Sequence, residues 1–552
     1  MIEPVSQVAD GATLEADICI VGAGAAGVSM ALELMGKGLR VLLMEAGKEQ
    51  EDAATQALYE GTVADERMHS PPDKYRHRRF GGSTAIWGGR CMPFDPIDYE
   101  ARDWVPNSGW PITHDDLAPY FPKASHYLEA GRHEYDADHA FSPPAPPMFA
   151  GFNSEVVRTN GLERFSCPTN MGSRYKNRLA TAADVTVVLE ANCVGLRLTS
   201  DGIRIDRADF ATLDGKRFNV KARVVVLAMG GIETARLLLA SNDVQAQGIG
   251  NQHDVVGRYY MCHIAGNVGS LSINGPISGV RHGYEVSPDG IYCRRRLHLS
   301  EQAQRELKVG NMVARLHFPK IIDPAHRNGV LSGLYLARHF ISYEYGKRLR
   351  DGDRKGLALE LQHIWNVVTN PWDAISFVTH WLRKRTFAER KFPSIILKNR
   401  TNRFSLEVHA EQIPRADSRV TLTDQRDALG MPRIKVDWRH SKEDITTVER
   451  TLQAIDQELR RTGIGRFEFD PVTLEDDLLR FGAYGGHHVG TTRMGTDPKT
   501  SVVDANCRVH GVGNLFVASS AVFPTSSQAN PTLTIVAMAL RLTHHLTMEM
   551  AT

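Results

Sequence analysis

A chain of 552 residues, 42% of them hydrophobic, is long enough for two domains or one two-lobed body and can fill a complete core. Its 65 basic residues balance 64 acidic ones, so no overall field draws it to nucleic acid or to a lipid surface, and neither is expected as a partner unless a local patch provides it. Seven scattered cysteines, odd in number and without CxxC pairs, fit reduced thiols rather than a disulfide scaffold, and no metal is expected; with no leader-like start and no run of roughly 18 apolar residues, a cytoplasmic protein is expected.

In chain order, residues 16–47 read as a short apolar strand, a glycine turn, an amphipathic helix and a second apolar strand ending in Glu45, which is a βαβ unit. Gly22 and Gly24 would let the backbone approach a pyrophosphate, and Gly27 would let the helix pack on its strand. Glu45, 18 residues after Gly27, is placed to accept from ribose hydroxyls, which argues for FAD or NAD without a 2′-phosphate. Residues 185–198 read as one or two strands, and 223–231 as a buried strand whose closing glycines run into a helix. From about 265 to 480 apolar and polar residues alternate (404–412, 418–423, 433–438) ahead of a helix at 442–461, the mark of a sheet with one wet face. Within this stretch, 338–400 is rich in Lys and Arg and holds two candidate helices, 356–368 and 372–385, that fit a helical insertion, a lid, an oligomer contact or a peripheral membrane face.

Six ordered motifs then carry a resemblance: GAGAAG (22–27) with Glu45, FGGSTAIWGGRCMPFDPIDYE (80–100), SGWPITHDDLAPYF (108–121), LAMGGIETARLLL (227–239), VVGRYYMCH (255–263), and a C-terminal block holding HHVGTTRMG (487–495) and NPTLT (530–534). Together they resemble the glucose-methanol-choline (GMC) family of FAD oxidoreductases, closest in style to its pyranose oxidase and glucoside 3-dehydrogenase branch. The resemblance implies a Rossmann-like α/β FAD-binding domain, discontinuous at 14–110, 175–262 and 478–552. It also implies an α+β substrate domain on a largely antiparallel sheet of about six strands, at 111–174 and 263–477.

It further implies that His487, six residues before Arg493, faces flavin N5 as general base, with Asn530 as its polar partner; His488, His510 and His263 are read as structural. A neutral imidazole can take the hydroxyl proton as hydride leaves carbon, and an amide can steady the developing alkoxide. Carried over in the same way, Gly22, Gly24 and Gly27 face the pyrophosphate and Glu45 the ribose, while Val194 serves adenine. Gly81, Gly82, Ser83, Thr84 and Ala85 lie along the isoalloxazine, Ala518 and Ser519 return to the pyrophosphate, and Pro531 and Thr532 meet flavin O2. Ile86 stands where some members carry the histidine that bonds FAD, so a noncovalent cofactor is expected. Glu411 and Gln412 are the substrate candidates.

The expected reaction is oxidation of a secondary hydroxyl of a sugar or glycoside, at C2 or C3, followed by reoxidation with dioxygen or another electron acceptor. A sterol or aryl alcohol substrate, a non-redox lyase that keeps FAD, and a flavin-loaded protein without catalysis are the rivals. The oligomeric state is left open.

Overall fold

The computed structural model describes residues 1–551 apart from 319–320, 323, 341–355, 395–396, 398–401 and 481–482. The strand Thr13–Val21 lies between two parallel neighbours, Val41–Met44 and Arg217–Leu227. Parallel strands are covered on both faces, so its inner half must be apolar throughout, and Ile18, Cys19 and Ile20 are wholly buried. Val185–Leu189 and Ile2–Pro4 extend this eight-stranded sheet on one side; on the other, the antiparallel Ile205–Ala211 and Asn192–Leu198 follow Arg217–Leu227. Leu515–Val517, from the far end of the chain, adds to Arg217–Leu227 in parallel. The C-terminal block is thus built into a sheet that begins at residue 13.

A second sheet of seven strands is antiparallel throughout and centres on Met261–Ile273, which pairs with Arg403–Ala410, Gly465–Glu468 and Tyr484–Val489. The helix Lys442–Arg461 covers it with an apolar stripe of Val448, Leu452, Ile455 and Leu459, and Ser441 and Asp444 close a capping box at its start. The alternating strands of this region divide between sheets: Arg419–Arg426 and Pro432–Asp437 form a separate three-stranded sheet with Gly61–Val63, because Pro432–Asp437 takes its second partner from the N-terminal part of the chain. Two hydrophobic cores follow from the two large sheets, and Leu117, Phe121 and Tyr127 pack into the first of them. Among the described residues no helix is long and apolar enough to cross a membrane, and all seven cysteines are free thiols.

The junction of the two sheets places the site. Tyr484–Val489 is paired with Met261–Ile273, and from Gly490 the chain turns back toward the first sheet, donating from Gly490 N to Ser520 O. At the start of the helix Ala25–Leu34 the closest approach is at Gly27, where a Cβ would stand 1.9 Å from the Gly22 carbonyl oxygen. Gly27→Ala should therefore push helix from strand and cost about 1–3 kcal/mol, read as a lowered thermal midpoint; an unchanged midpoint would show that the helix has room to spare.

Candidate active site

A cavity of about 440 Å³ runs from the glycine turn to a group of histidines. Gly22, Gly24, Ala25, Glu45 and Ala46 line one end, residues 82–84 and 86–90 its side, and His409, His487 and Asn530 the other end. Gly22 holds φ at 105°, and Gly24 faces open space, so the backbone before the helix is bare toward the cavity. Glu45 accepts from Ala23 N and Gly47 N at 2.8 Å each, yet burial pushes its carboxyl up to about 7. Ala518, Ser519, Pro531 and Thr532 line the same space, with the 20-residue helix Thr532–Ala551 starting at its wall.

The histidines are ordered by their partners. His263 Nε2 must donate to the Ser526 carbonyl (3.2 Å), which leaves its Nδ1 as an acceptor. His487 Nδ1–H then donates to His263 Nδ1 at 3.0 Å, and the remaining His487 Nε2 lone pair receives Asn530 Nδ2–H, also at 3.0 Å. Asn530 Oδ1 is buried with no partner among the described residues. His409 stacks on His263 with ring centres 4.2 Å apart, and its Nδ1–H donates to Gln528 O at 2.5 Å, so its Nε2 is a bare acceptor without a partner among the described residues. Burial holds His487 and His409 well below the ordinary imidazole value and His263 down to about 4, with neighbouring histidines and Arg90 or Arg315 adding to it. The group is neutral near pH 7.

His488 points into another network. His69 Nδ1–H donates to Ser70 O, Tyr260 O–H donates to His69 Nε2 (2.7 Å), and His488 Nδ1–H donates to Tyr260. His510 bonds Ser501, at a distance from these groups in the chain's fold. His263, read from sequence as structural, is the residue behind His487. Its signal was the register of Met261–Ile273 against Tyr484–Val489, which no single-strand pattern reveals.

The antiparallel sheet meets the cavity at positions two and four residues before Glu411, the first of the two expected substrate residues. Glu407 and His409 line the cavity, whereas Glu411 and Gln412 do not. The ladder ends at Ala410, so the alternation stops there. Glu411 turns to a buried two-point ion pair with Arg102 (2.6 and 2.9 Å) and also accepts from Asn311 N; Gln412 is held by Cys262 N, Trp438 Nε1 and Arg439 O. Across from Glu407 stand Arg315, bonded to Glu163 at 2.5 Å, and Arg90. Counting alternation back from residue 411 would have reached His409 and Glu407.

Other expected contacts also separate. Gly27 packs on Gly22 rather than on the cavity, and Gly81 packs on Gly172 and Asn170, where a Cβ would meet atoms at 2.6–2.7 Å. Ala85 lies off the wall, while Gly82, Ser83 and Thr84 are on it. Val194 falls one residue past the lining Cys193 and borders a separate recess with Arg197 and Leu429.

A parallel βαβ sheet with a glycine turn opening on a cavity, and buried neutral histidines at its far end, is an arrangement suited to a dinucleotide-dependent oxidoreductase. Residues 414–539 match the family model for GMC oxidoreductase, and residues 16–259 that for pyridine nucleotide-disulphide oxidoreductase. The chain is 25% identical to 6'''-hydroxyparomomycin C oxidase of Streptomyces lividus, over 97% of its own length and 92% of the relative's. It is 35% identical to C-glycoside 3-oxidase of Microbacterium trichothecenolyticum, over 24% of this chain and 25% of that one. Among solved structures, pyridoxine 4-oxidase from Mesorbium loti shares the fold with a TM-score of 0.54 at 19% identity, covering 96% of this chain and 98% of that one. The C-terminal part of the chain thus matches the GMC oxidoreductases, and the protein is an oxidoreductase with a flavin cofactor.

The depressed histidines make stability sensitive to acid. Unfolded imidazoles titrate near 6.5, and His263 in the fold near 4, so this stabilisation is present above pH 6.5 and is lost as pH falls toward 4. Glu45, raised to about 7, acts in the opposite sense, gaining stability on acidification through the same range. A difference isolates the histidines: His409→Gln, which can keep a donor to Gln528 O, should show a shallower fall in thermal midpoint from pH 7 to pH 5 than the native protein. Equal slopes would mean that His409 is protonated without cost.

Proposed function

We propose that the protein oxidises a secondary hydroxyl of a sugar or glycoside, at C2 or C3, to a ketone, with FAD held noncovalently in the cavity. One observation carries the proposal: His487 Nε2, with its lone pair fixed by the His263 contact, meets Asn530 Nδ2 in the cavity that begins at the glycine turn. The residues present fit FAD. The bare backbone at Gly24 and the starting helix suit a pyrophosphate, Glu45 suits the ribose, and the N-terminus of Thr532–Ala551 offers N–H groups and a positive dipole end to flavin O2. Bound there, FAD supplies the hydride acceptor at N5. Ile86, on the wall, has no nucleophile with which to bond it.

In this reading the substrate hydroxyl enters between His487 and Asn530. Its proton goes to His487 Nε2, while Asn530 Nδ2–H donates to the oxygen as negative charge grows there. His263 keeps the His487 ring aimed, and among the described residues no carboxylate bonds either ring, so the base is neutral and ready near pH 7. Adjacent carbinols differ only in orientation, and several directed hydrogen bonds are needed to tell them apart. Glu407, His409, Arg90 and Arg315 line the cavity beside His487 and supply them. The likeness to a hydroxyparomomycin oxidase and to a C-glycoside 3-oxidase supports the substrate class. We place the FAD-binding domain at 14–110, 175–262 and 478–552 and the substrate domain at 111–174 and 263–477, with reoxidation falling to dioxygen or another acceptor.

The test is to mix the purified yellow protein anaerobically with sugars, glycosides, sterols, aryl alcohols and a cyanohydrin, following flavin colour. Sugars or glycosides should bleach it, His487→Ala should slow bleaching roughly 10²- to 10⁴-fold while FAD stays bound, and acid precipitation should release FAD into the supernatant. Bleaching by sterols or aryl alcohols alone, cyanohydrin cleavage without bleaching, or a fully active His487→Ala would each refute the assignment.

A further inference from the structure

The helices Leu357–Thr369 and Pro371–Trp381 of the 338–400 insertion are built inside out. On the first, the buried residues are the polar His363 and Asn366. His363 sits between Ser332 Oγ (3.0 Å) and the Ile322 carbonyl (3.2 Å), and Asn366 Nδ2 donates to Pro324 O and to Ser332 Oγ. The apolar residues face away: Leu361, Ile364, Trp365 and Val368 recur at i, i+3, i+4 and i+7, and Trp372 and Ile375 follow on the second helix, each between 45 and 78% exposed. Among the described residues, neither helix contributes to the hydrophobic cores. A helix of a globular protein turns such a stripe inward, and an exposed one marks a surface of interaction.

What covers it is indicated by charge. Arg383 and Lys384 are exposed in the turn that ends the second helix, and residues 356–394 hold five Lys or Arg against three Asp or Glu in a chain whose total is only +1. A second copy would meet this face with the same face, bringing two like-charged surfaces together. Lipid phosphates instead oppose the charge, while the indoles and aliphatic side chains match the boundary between headgroups and acyl chains. We propose that this face docks on the surface of an anionic bilayer. The local patch overrides the balanced total charge, from which no lipid partner would be expected. The same insertion reaches the catalytic cavity: Arg390 donates to Glu129 O and Phe165 O at 3.1 Å, and Pro393 and Ser394 line the wall. Docking and the cavity wall thus belong to one continuous segment.

The holoenzyme should co-sediment with phosphatidylcholine vesicles that contain phosphatidylglycerol, and at least tenfold less with phosphatidylcholine alone or at high salt. The double variant Trp365→Ser/Trp372→Ser should partition at least tenfold more weakly and keep its native rate of flavin reduction. Failure of the native protein to bind the phosphatidylglycerol vesicles at low salt, or equal binding by the double variant, would overturn the proposal. So would a dimer in solution that the double variant dissociates, since the face would then be taken by a second copy.

Discussion

The chain of hydrogen bonds from Asn530 through His487 and His263 to the Ser526 carbonyl is the constraint on which the rest depends. A neutral imidazole has two tautomers, and only one leaves the lone pair on the cavity side. Here the choice is made by a backbone carbonyl, which can only accept, so the proton positions along the whole chain follow from Ser526 O. To assemble it, three segments far apart in sequence must meet: the central strand of the antiparallel sheet, the strand Tyr484–Val489, and the loop before the last helix. The fold accomplishes this by sharing the C-terminal block between sheets. Tyr484–Val489 pairs with the antiparallel one, and Leu515–Val517 with the parallel one.

Electrostatics separates the two ends of the cavity. At the nucleotide end a carboxyl is buried on two backbone amides, and burial raises its pKa against the pull of those amides and of Arg78. At the other end the rings are buried among one another and near Arg90 and Arg315, which disfavours any protonated imidazole. In the proposed mechanism a base so placed is weak but always available, and it would return its proton readily after hydride has left. The charges beyond it, Arg315, Arg294, Glu163 and Glu407, are largely buried and paired, so they give the substrate wall a rigid arrangement of donors and acceptors.

Much of this was legible in the sequence because local patterns encode it. The βαβ unit shows in its apolar runs and glycines, the helix 442–461 in its stripe and cap, and the C-terminal block in its motif. What escaped was set by pairing between distant strands. His263 looks like any buried histidine until its strand is placed beside that of His487. Glu411 and Gln412 stand on the expected segment, but the ladder stops at Ala410 and turns them to Arg102 and Trp438, leaving Glu407 and His409 on the cavity. The insertion was visible as basic and tryptophan-rich, whereas the outward direction of its apolar side depends on which residues Ser332 and Pro324 hold from below.

The central claim is that a neutral His487, kept so by burial and by His263, takes the hydroxyl proton. The most direct measurement is the rate of anaerobic flavin reduction by a saturating reducing alcohol as a function of pH, in the native protein and in His263→Gln. The account requires a rate that holds steady down through pH 6.5 and falls only below it, with the limb displaced in the variant. A limb at or above pH 7, or one unmoved by His263→Gln, would contradict it.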